Sequence, residues 1–268
     1  MDFFYEHPVF RYEEFRDAHQ ASGERSPLTT TSVLAQHVAS GRLIHVRRGV
    51  YGVGRALPRG AAAHVDPFIV AGKLARDAVV AYHAALQFRG VAYSIWHRYA
   101  VLSRSLPRRF LWGHNEFVGV APPAAVRDLP DFGGGITCEH YAGAMVRVTS
   151  VERTLVDVLD RPRLGGGWEE VWRSLEMVEF VDLDVVVAYT TKLGTALTAA
   201  RVGYFLESHR DQLFVEDRHF NTLREMVPKQ PRYMDGSRAP GRLVKPWNII
   251  VPEAVLGRTW EEPLYDEC

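Results

Sequence analysis

The chain has 268 residues, of which 47% are apolar and 24% are charged, and its 32 basic and 32 acidic side chains cancel. This composition is typical of a folded protein of one or two domains, and it excludes a polyanion binder that relies on overall charge. The apolar stretches are too short to cross a bilayer, and no signal peptide is recognisable. With only Cys138 and Cys268, we expect a cytoplasmic protein without disulfides and no membrane partner.

The first sixty residues predict two helices and a hairpin. Residues 9–20 have apolar side chains near helical spacing and predict the first helix. A second helix is predicted from about Thr30 to Ser40, with an apolar stripe on one side. That stripe consists of Val33, Leu34, His37 and Val38.

Two short strands are predicted after Gly41, which suits a helix C-cap. Residues 43–46 and 50–53 form these strands, and Arg47-Arg48-Gly49 joins them. A helix followed by such a hairpin is the outline of a winged helix-turn-helix. We place the end of this domain at about residue 60 because residues 56–60 read as a linker.

Charge is distributed unevenly along the chain. From Arg25 to Val65 there is no Asp or Glu. The basic residues of the same stretch are Arg25, Arg42, Arg47, Arg48, Arg55 and Arg59. A local basic patch attracts phosphate even on a neutral molecule, so this stretch indicates DNA binding.

Residues 61–268 predict a larger mixed α+β domain, so the predicted fold class is α+β. Its predicted strands are residues 78–82, 99–102, 110–112, 116–120, 136–140, 145–148 and 247–251. Residues 149–226 read as helical, and residues 227–246 as a loop. Arg153 and Asp157 are four residues apart and are expected to pair on a helix surface.

The candidate DNA contacts follow from the winged-helix prediction. Those on the second helix are Thr29, Thr30, Thr31, Ser32 and Gln36, because hydroxyls bond phosphate and Gln can bond adenine. Those on the hairpin are Arg42, His45, Arg47 and Arg48. The alternative for the threonines is that one of them only caps the helix N-terminus. The alternative for Arg47 and Arg48 is a solvated surface pair without a ligand.

Three segments in this order resemble the AbiEi antitoxin family. They are residues 41–51, GRLIHVRRGVY; residues 82–90, YHAALQFRG; and residues 148–168, VTSVERTLVDVLDRPRLGGGW. The resemblance covers residues 8 to 251. It implies a winged-helix domain at 1–60 and an antitoxin domain at 61–268. The chain departs from the family's pattern at the first helix, which we expect to be short or missing.

The resemblance also implies a function. Such a protein is a type IV antitoxin linked to abortive phage infection. It represses its own operon by binding double-stranded DNA with inverted repeats, and it counters a nucleotidyltransferase-like toxin. A stand-alone regulator without a toxin is the alternative.

Signals for an enzyme or a cofactor are weak in this sequence. Asp182-Leu-Asp184 is better explained as a helix N-cap than as a metal site, and Cys138-Glu-His140 has no second ligand pair nearby. Neither Gly133–135 nor Gly165–167 precedes the Gly-Lys-Ser/Thr of a phosphate loop. We therefore expect no catalysis, metal or cofactor. A winged helix fused to a nuclease is a second alternative, although the Glu-x-Lys element of such enzymes is absent.

Overall fold

The structure is a computed structural model that describes residues 3–21, 27–54, 65–106 and 109–260, without the side chains of residues 27–29. It is a mixed α+β fold, as predicted, and divides into two compact units. Unit 1 comprises Met1–Ala81, His97–Ala121 and Thr137–Val148, and unit 2 comprises Tyr82–Trp96, Pro122–Ile136 and Thr149–Cys268. The predicted boundary at residue 60 lies in residues 55–64, outside the described part, and stays a prediction.

Unit 1 begins with a winged-helix order of elements. They are α1 (Phe3–Glu6), β1 (Val9–Arg11), α2 (Tyr12–Ala21), α3 (Pro27–Ala39), β2 (Leu43–Arg47) and β3 (Val50–Val53). The three strands form an antiparallel sheet in the order β1-β3-β2, in which Tyr51 lies opposite both Phe10 and His45. This helix-strand-helix-helix-strand-strand succession is compatible with a winged helix-turn-helix, with α3 in the position of its second helix and the β2–β3 hairpin in the position of its wing.

The structure corrects the start of the first predicted helix. Residues 9–11 form β1 rather than helix, because Val9 and Phe10 are fully buried and pair with β3. Three residues are too few for a strand alternation to be read from the sequence. The helix before it, α1, has four residues, which agrees with the expected short first helix.

An aromatic core holds these elements together. The buried members are Phe4, Phe10, Phe15, Leu34 and Leu43, and Tyr51 packs against them from the wing. The Phe10 and Phe15 rings lie 5.8 Å apart, and the Phe10 and Tyr51 rings 5.7 Å apart. Aromatic side chains bury large areas, so a few of them suffice to fix α3 against the sheet.

The rest of unit 1 is a helix and a mixed sheet. These elements are α4 (Pro67–Lys73), β4 (Val79–Val80), β5 (Arg98–Leu102), β6 (Phe110–Trp112), β7 (Asn115–Val120), β8 (Ile136–Tyr141) and β9 (Ala144–Thr149). The strand order is β6-β7-β5-β4-β9-β8. Each of these strands overlaps one that the alternation of the sequence predicts.

Unit 2 is mainly helical. Its elements are α5 (His83–Phe88), α6 (Val151–Asp160), α7 (Trp168–Glu176), α8 (Leu183–Leu193), α9 (Ala196–Ser208), α10 (Asp217–Arg224), β10 (Arg232–Tyr233), β11 (Gly241–Val244), β12 (Ile249–Pro252) and α11 (Glu253–Leu256). The predicted loop at 227–246 contains β10 and β11, which flank β12. None of the helices in the described part of the chain is long and apolar enough to span a membrane.

Arg153 organises the first helices of unit 2 from inside. It is 1% exposed, so its predicted pairing with Asp157 occurs in the core and not on a helix surface. Its Nε donates to Asp157 Oδ2 at 3.1 Å, and its Nη1 donates to the carbonyl oxygens of Phe132 (3.2 Å) and Gly134 (2.5 Å). Residues 131–135 all have positive φ, so the three glycines of this loop serve a turn that closes around the guanidinium.

Candidate nucleic-acid interface

The exposed side of α3 is polar, small and free of carboxylates. Its exposed residues from 31 to 39 are Thr31, Ser32, Ala35, Gln36 and Ala39. At the helical repeat these five positions cover an arc of about 140°. The two alanines lie inside the arc, so nothing bulky keeps this side of the helix from approaching a groove. We call these five residues the α3 face.

Two predicted contacts on α3 are not part of this face. Thr30 is 1% exposed, because it lies four residues before buried Leu34 and therefore on the core side of the helix. The prediction that Thr30 contacts DNA is thus wrong for this arrangement. The side chain of Thr29 lies outside the described part of the structure.

The wing turn consists of Arg48 and Gly49. Gly49 has φ +78°, a conformation that glycine adopts without strain, and it allows the chain to reverse in two residues. Arg48 is exposed and has no carboxylate partner among the described residues. The first residue of α2 attaches this turn to the domain, since the Tyr12 backbone N–H donates to the Gly49 carbonyl at 2.8 Å.

Tyr12 also joins the wing turn to the α3 face. Its hydroxyl lies 3.4 Å from Thr31 Oγ1, in hydrogen-bond contact at the surface. One residue therefore touches the recognition helix with its side chain and the wing turn with its backbone. Tyr12 thus connects Thr31 of α3 with Gly49 of the wing turn, which are 18 residues apart in sequence. Sequence reasoning missed Tyr12 because it assigned residues 9–20 to one uninterrupted helix.

Arg47 differs from its neighbour Arg48. Its guanidinium carbon lies 5.5 Å from the centre of the Phe110 ring, and the side chain is half-buried. Its Nη1 is buried without a hydrogen-bond partner in the described structure. The expected pair of exposed wing arginines is therefore reduced to Arg48, because Arg47 packs against β6. Sequence could not reveal this contact across 63 residues.

Arg42 and His45 lie away from the wing turn. The Arg42 guanidinium stacks 4.9 Å above the Phe4 ring, and Phe4 in turn contacts His37 in the last turns of α3. His45 is exposed on β2, with its ring 5.4 Å from that of Tyr51.

Glu14 of α2 is bound by basic groups of β1 and α4, outside the segment from residue 25 to 65 that contains no carboxylates. Glu14 is held by Lys73 Nζ at 2.7 Å and by the Arg11 backbone N–H at 2.8 Å. Burial alone would raise the pKa of Glu14, but these two hydrogen bonds and the Lys73 and Arg11 charges outweigh it and lower the pKa. The Glu14 carboxylate is thus paired with Lys73 and connects α2 to α4.

A pH-dependent stability follows from Glu14. Because its folded-state pKa is lowered, its contribution is fully present above the unfolded-state pKa and is lost as pH falls through the folded-state value. We expect Glu14→Gln to lower the free energy of unfolding of unit 1 by about 1–2 kcal/mol at pH 7, with the deficit shrinking below about pH 4. Thermal unfolding of both proteins between pH 3 and 8 measures it, and a deficit that grows on acidification would contradict the assignment.

Unit 2 contains a buried histidine–carboxylate pair that resembles a catalytic dyad. His83 Nε2 lies 2.9 Å from Glu170 Oε1, and the same oxygen accepts from the Ser94 backbone N–H. Burial lowers the pKa of His83, while the Glu170 hydrogen bond opposes this. His83 is only 2% exposed and stacks on Trp96, so the pair serves to close the segment around Ser94.

The Asp182-Leu-Asp184 motif, which was considered for metal binding, has a structural role. Asp182 is the N-cap of α8, where its carboxylate accepts from the backbone N–H groups of Asp184 and Val185, as predicted. Asp184 is bound by Arg218 and His219. Within residues 3–21, 27–54, 65–106 and 109–260, no group of three His, Cys, Asp or Glu side chains is placed to hold a metal ion.

Comparisons with known proteins bear on the fold. No protein-family model matches the chain, and no curated protein matches it. It is similar to the crystal structure of the RV2827C protein from Mycobacterium tuberculosis, with a TM-score of 0.60 and 17% sequence identity. The match covers 95% of this chain and 90% of that one. At this identity the likeness shows a shared fold and nothing more: the chain has an α+β architecture that a solved structure also has along nearly its whole length.

Proposed function

We propose that this protein is a winged-helix transcriptional regulator that binds double-stranded DNA. The observation that carries the proposal is the open α3 face, on which Thr31, Ser32 and Gln36 flank two alanines. A recognition helix enters the major groove, which is wide enough to admit a helix and presents a base-specific pattern of donors and acceptors. Arg48 on the wing turn supplies positive charge at one end of that face.

Each polar residue of the α3 face has a role in this proposal. Gln36 donates and accepts in a bidentate contact to adenine, and Ser32 bonds a base edge or a phosphate. Thr31 is oriented by Tyr12 and bonds the sugar-phosphate backbone. Arg48 contacts a phosphate or the adjacent minor groove, as wings do.

The test is binding to the duplex upstream of the protein's own gene, measured by fluorescence anisotropy at fixed salt against a random duplex of equal length. We expect specific affinity to exceed non-specific affinity by at least about 10³-fold. Gln36→Ala should reduce the specific affinity by about 10- to 100-fold and leave the random duplex nearly unaffected, because it removes a base contact.

Gln20→Ala is the matched control, since Gln20 is an exposed glutamine on α2 outside the α3 face. It should bind both duplexes like the wild type. Equal affinity of the wild type for both duplexes, or no binding to either, would contradict the proposal.

We also propose that the chain is the antitoxin of a type IV pair, with the sequence resemblance in residues 41–51, 82–90 and 148–168 as its support. Co-expression with a nucleotidyltransferase-like neighbour gene is the test. Growth rescued by the full chain supports the antitoxin role, whereas unrelieved toxicity with intact DNA binding identifies a stand-alone regulator. Chelator-sensitive cleavage of the duplex would instead favour the nuclease alternative.

A further inference from the structure

A cavity of about 350 Å³ opens beside the wing turn, entirely within unit 1. Its walls come from the start of α2, from the wing and from the turn after α4. The charged residues that line it are Arg11, Arg48, Arg76, Glu13 and Asp77. We call it the arginine cavity.

Arg11 contributes a positive charge to the wall of the arginine cavity. Its Nη2 lies 3.5 Å from Glu14 Oε1, the limit of a hydrogen bond. Its Nε and Nη1 are buried and have no partner in the described structure. Buried donors without an acceptor cost free energy, and more so when they carry charge. Both nitrogens are almost inaccessible to water, so an anion in the cavity gains from the charge of the Arg11 guanidinium and not from a hydrogen bond to these two atoms.

The carboxylates around the cavity are largely engaged elsewhere. Asp77 Oδ1 accepts from Ser103 Oγ at 2.6 Å, and its Oδ2 accepts from the Arg104 backbone N–H at 2.9 Å. Glu14 is taken by Lys73, as described above. Arg76 is exposed and has no ion pair among the described residues. Three guanidinium groups against Glu13 and Asp77 leave one net positive charge, which matches one phosphodiester.

The cavity adjoins the proposed DNA-binding surface. Arg48 belongs to both, and Gly49 beside it accepts the Tyr12 backbone hydrogen bond. Tyr12, whose hydroxyl contacts Thr31, directly follows Arg11 in the chain. Tyr12 therefore follows a residue of the cavity wall in the chain and contacts both the wing turn and α3.

We propose that the arginine cavity binds a phosphate of the DNA backbone next to the groove that α3 enters. This inference rests on the proposed function and extends it to Arg76, a residue beyond the predicted winged-helix boundary. The exposed Arg48 and Arg76 contact the phosphate from the wing and from the turn after α4, and the guanidinium of Arg11 adds positive charge in the cavity wall. Such a contact fixes register without reading sequence.

The experiment uses the full-length chain with Arg76→Ala and the upstream duplex, titrated between 50 and 200 mM KCl. We expect the slope of log affinity against log salt to fall by about 0.9, the value for one phosphate on B-DNA. The loss of affinity should be equal for the specific and the random duplex. Arg109→Ala is the matched control, because it removes the same charge from an arginine that is 67% exposed and paired with Glu116 at 2.5 Å.

The outcomes separate this inference from the proposed function. Unchanged DNA binding by Arg76→Ala, or an equal loss of affinity in Arg109→Ala, overturns phosphate binding by the arginine cavity. The proposed function stands in that case as long as the wild type binds the upstream duplex specifically. A wild type that binds neither duplex overturns both. The second experiment is calorimetry with inorganic phosphate, for which we expect no detectable binding at millimolar phosphate concentrations. Tight phosphate binding that Arg76→Ala abolishes would identify free phosphate as the ligand of the cavity and overturn its assignment to DNA.

Discussion

Replacing Arg153 by alanine should lower the free energy of unfolding of unit 2 by about 3–5 kcal/mol. The guanidinium is nearly inaccessible and neutralises Asp157, whose other oxygen accepts from the Tyr189 hydroxyl at 3.0 Å. Its removal leaves the Asp157 charge buried and leaves the carbonyl groups of Asp131, Phe132 and Gly134 without their common donor. Urea denaturation followed by circular dichroism measures the change.

Arg163→Ala is the control for this effect. Arg163 is an exposed arginine that lies at least 29 residues from the 131–134 loop in sequence, and its loss should change stability by less than about 0.5 kcal/mol. The double variant Arg153→Met with Asp157→Leu should recover part of the loss, because an apolar pair leaves no uncompensated charge. An Arg153→Ala protein as stable as the wild type would contradict the stabilising role of this buried network.

Replacing Ala35 by glutamate should abolish binding to both the upstream and the random duplex. Ala35 lies within the α3 face, so a carboxylate there meets the phosphates and fills the space that the helix needs in the groove. Like charges brought together at an interface cost several kcal/mol, which corresponds to at least about 100-fold in affinity. Anisotropy at constant salt measures it.

Ala18→Glu is the matched variant, since it makes the same substitution at an exposed position of α2. It should bind the upstream duplex within a few-fold of the wild type. Both substitutions are at exposed helical positions, so both proteins should remain folded. Retained binding by Ala35→Glu would mean that α3 does not enter the groove.

Periodic segments could be predicted from the sequence, and contacts between distant segments could not. The alternation in residues 43–53 predicts β2, β3 and the wing, and the apolar stripe predicts α3. The prediction of Thr30 as a DNA contact relies on its polarity. The position of Thr30 on the helix, four residues before buried Leu34, places its side chain in the core despite that polarity. The third strand, β1, was hidden by its length of three residues.

The interface shows the same limit. Arg48 is a candidate because it lies in the segment without carboxylates, and Gln36 because it lies on the exposed side of the second predicted helix and can bond adenine. Both are exposed. Arg47 shared every local feature of Arg48 but meets Phe110, which only the fold brings near. Arg76 lies beyond the predicted boundary, so no motif pointed to it. Charge in sequence locates an interface approximately, and packing decides which side chains belong to it.

The central claim is that duplex DNA lies against the α3 face and the wing turn. Amide hydrogen exchange of the full chain, with and without the upstream duplex, tests it most directly. The account predicts slower exchange in α3 from Thr31 to Ala39 and at Arg48 and Gly49, with no change in α8 or α9. Protection confined to unit 2, or none in α3 while the duplex is bound, would contradict it.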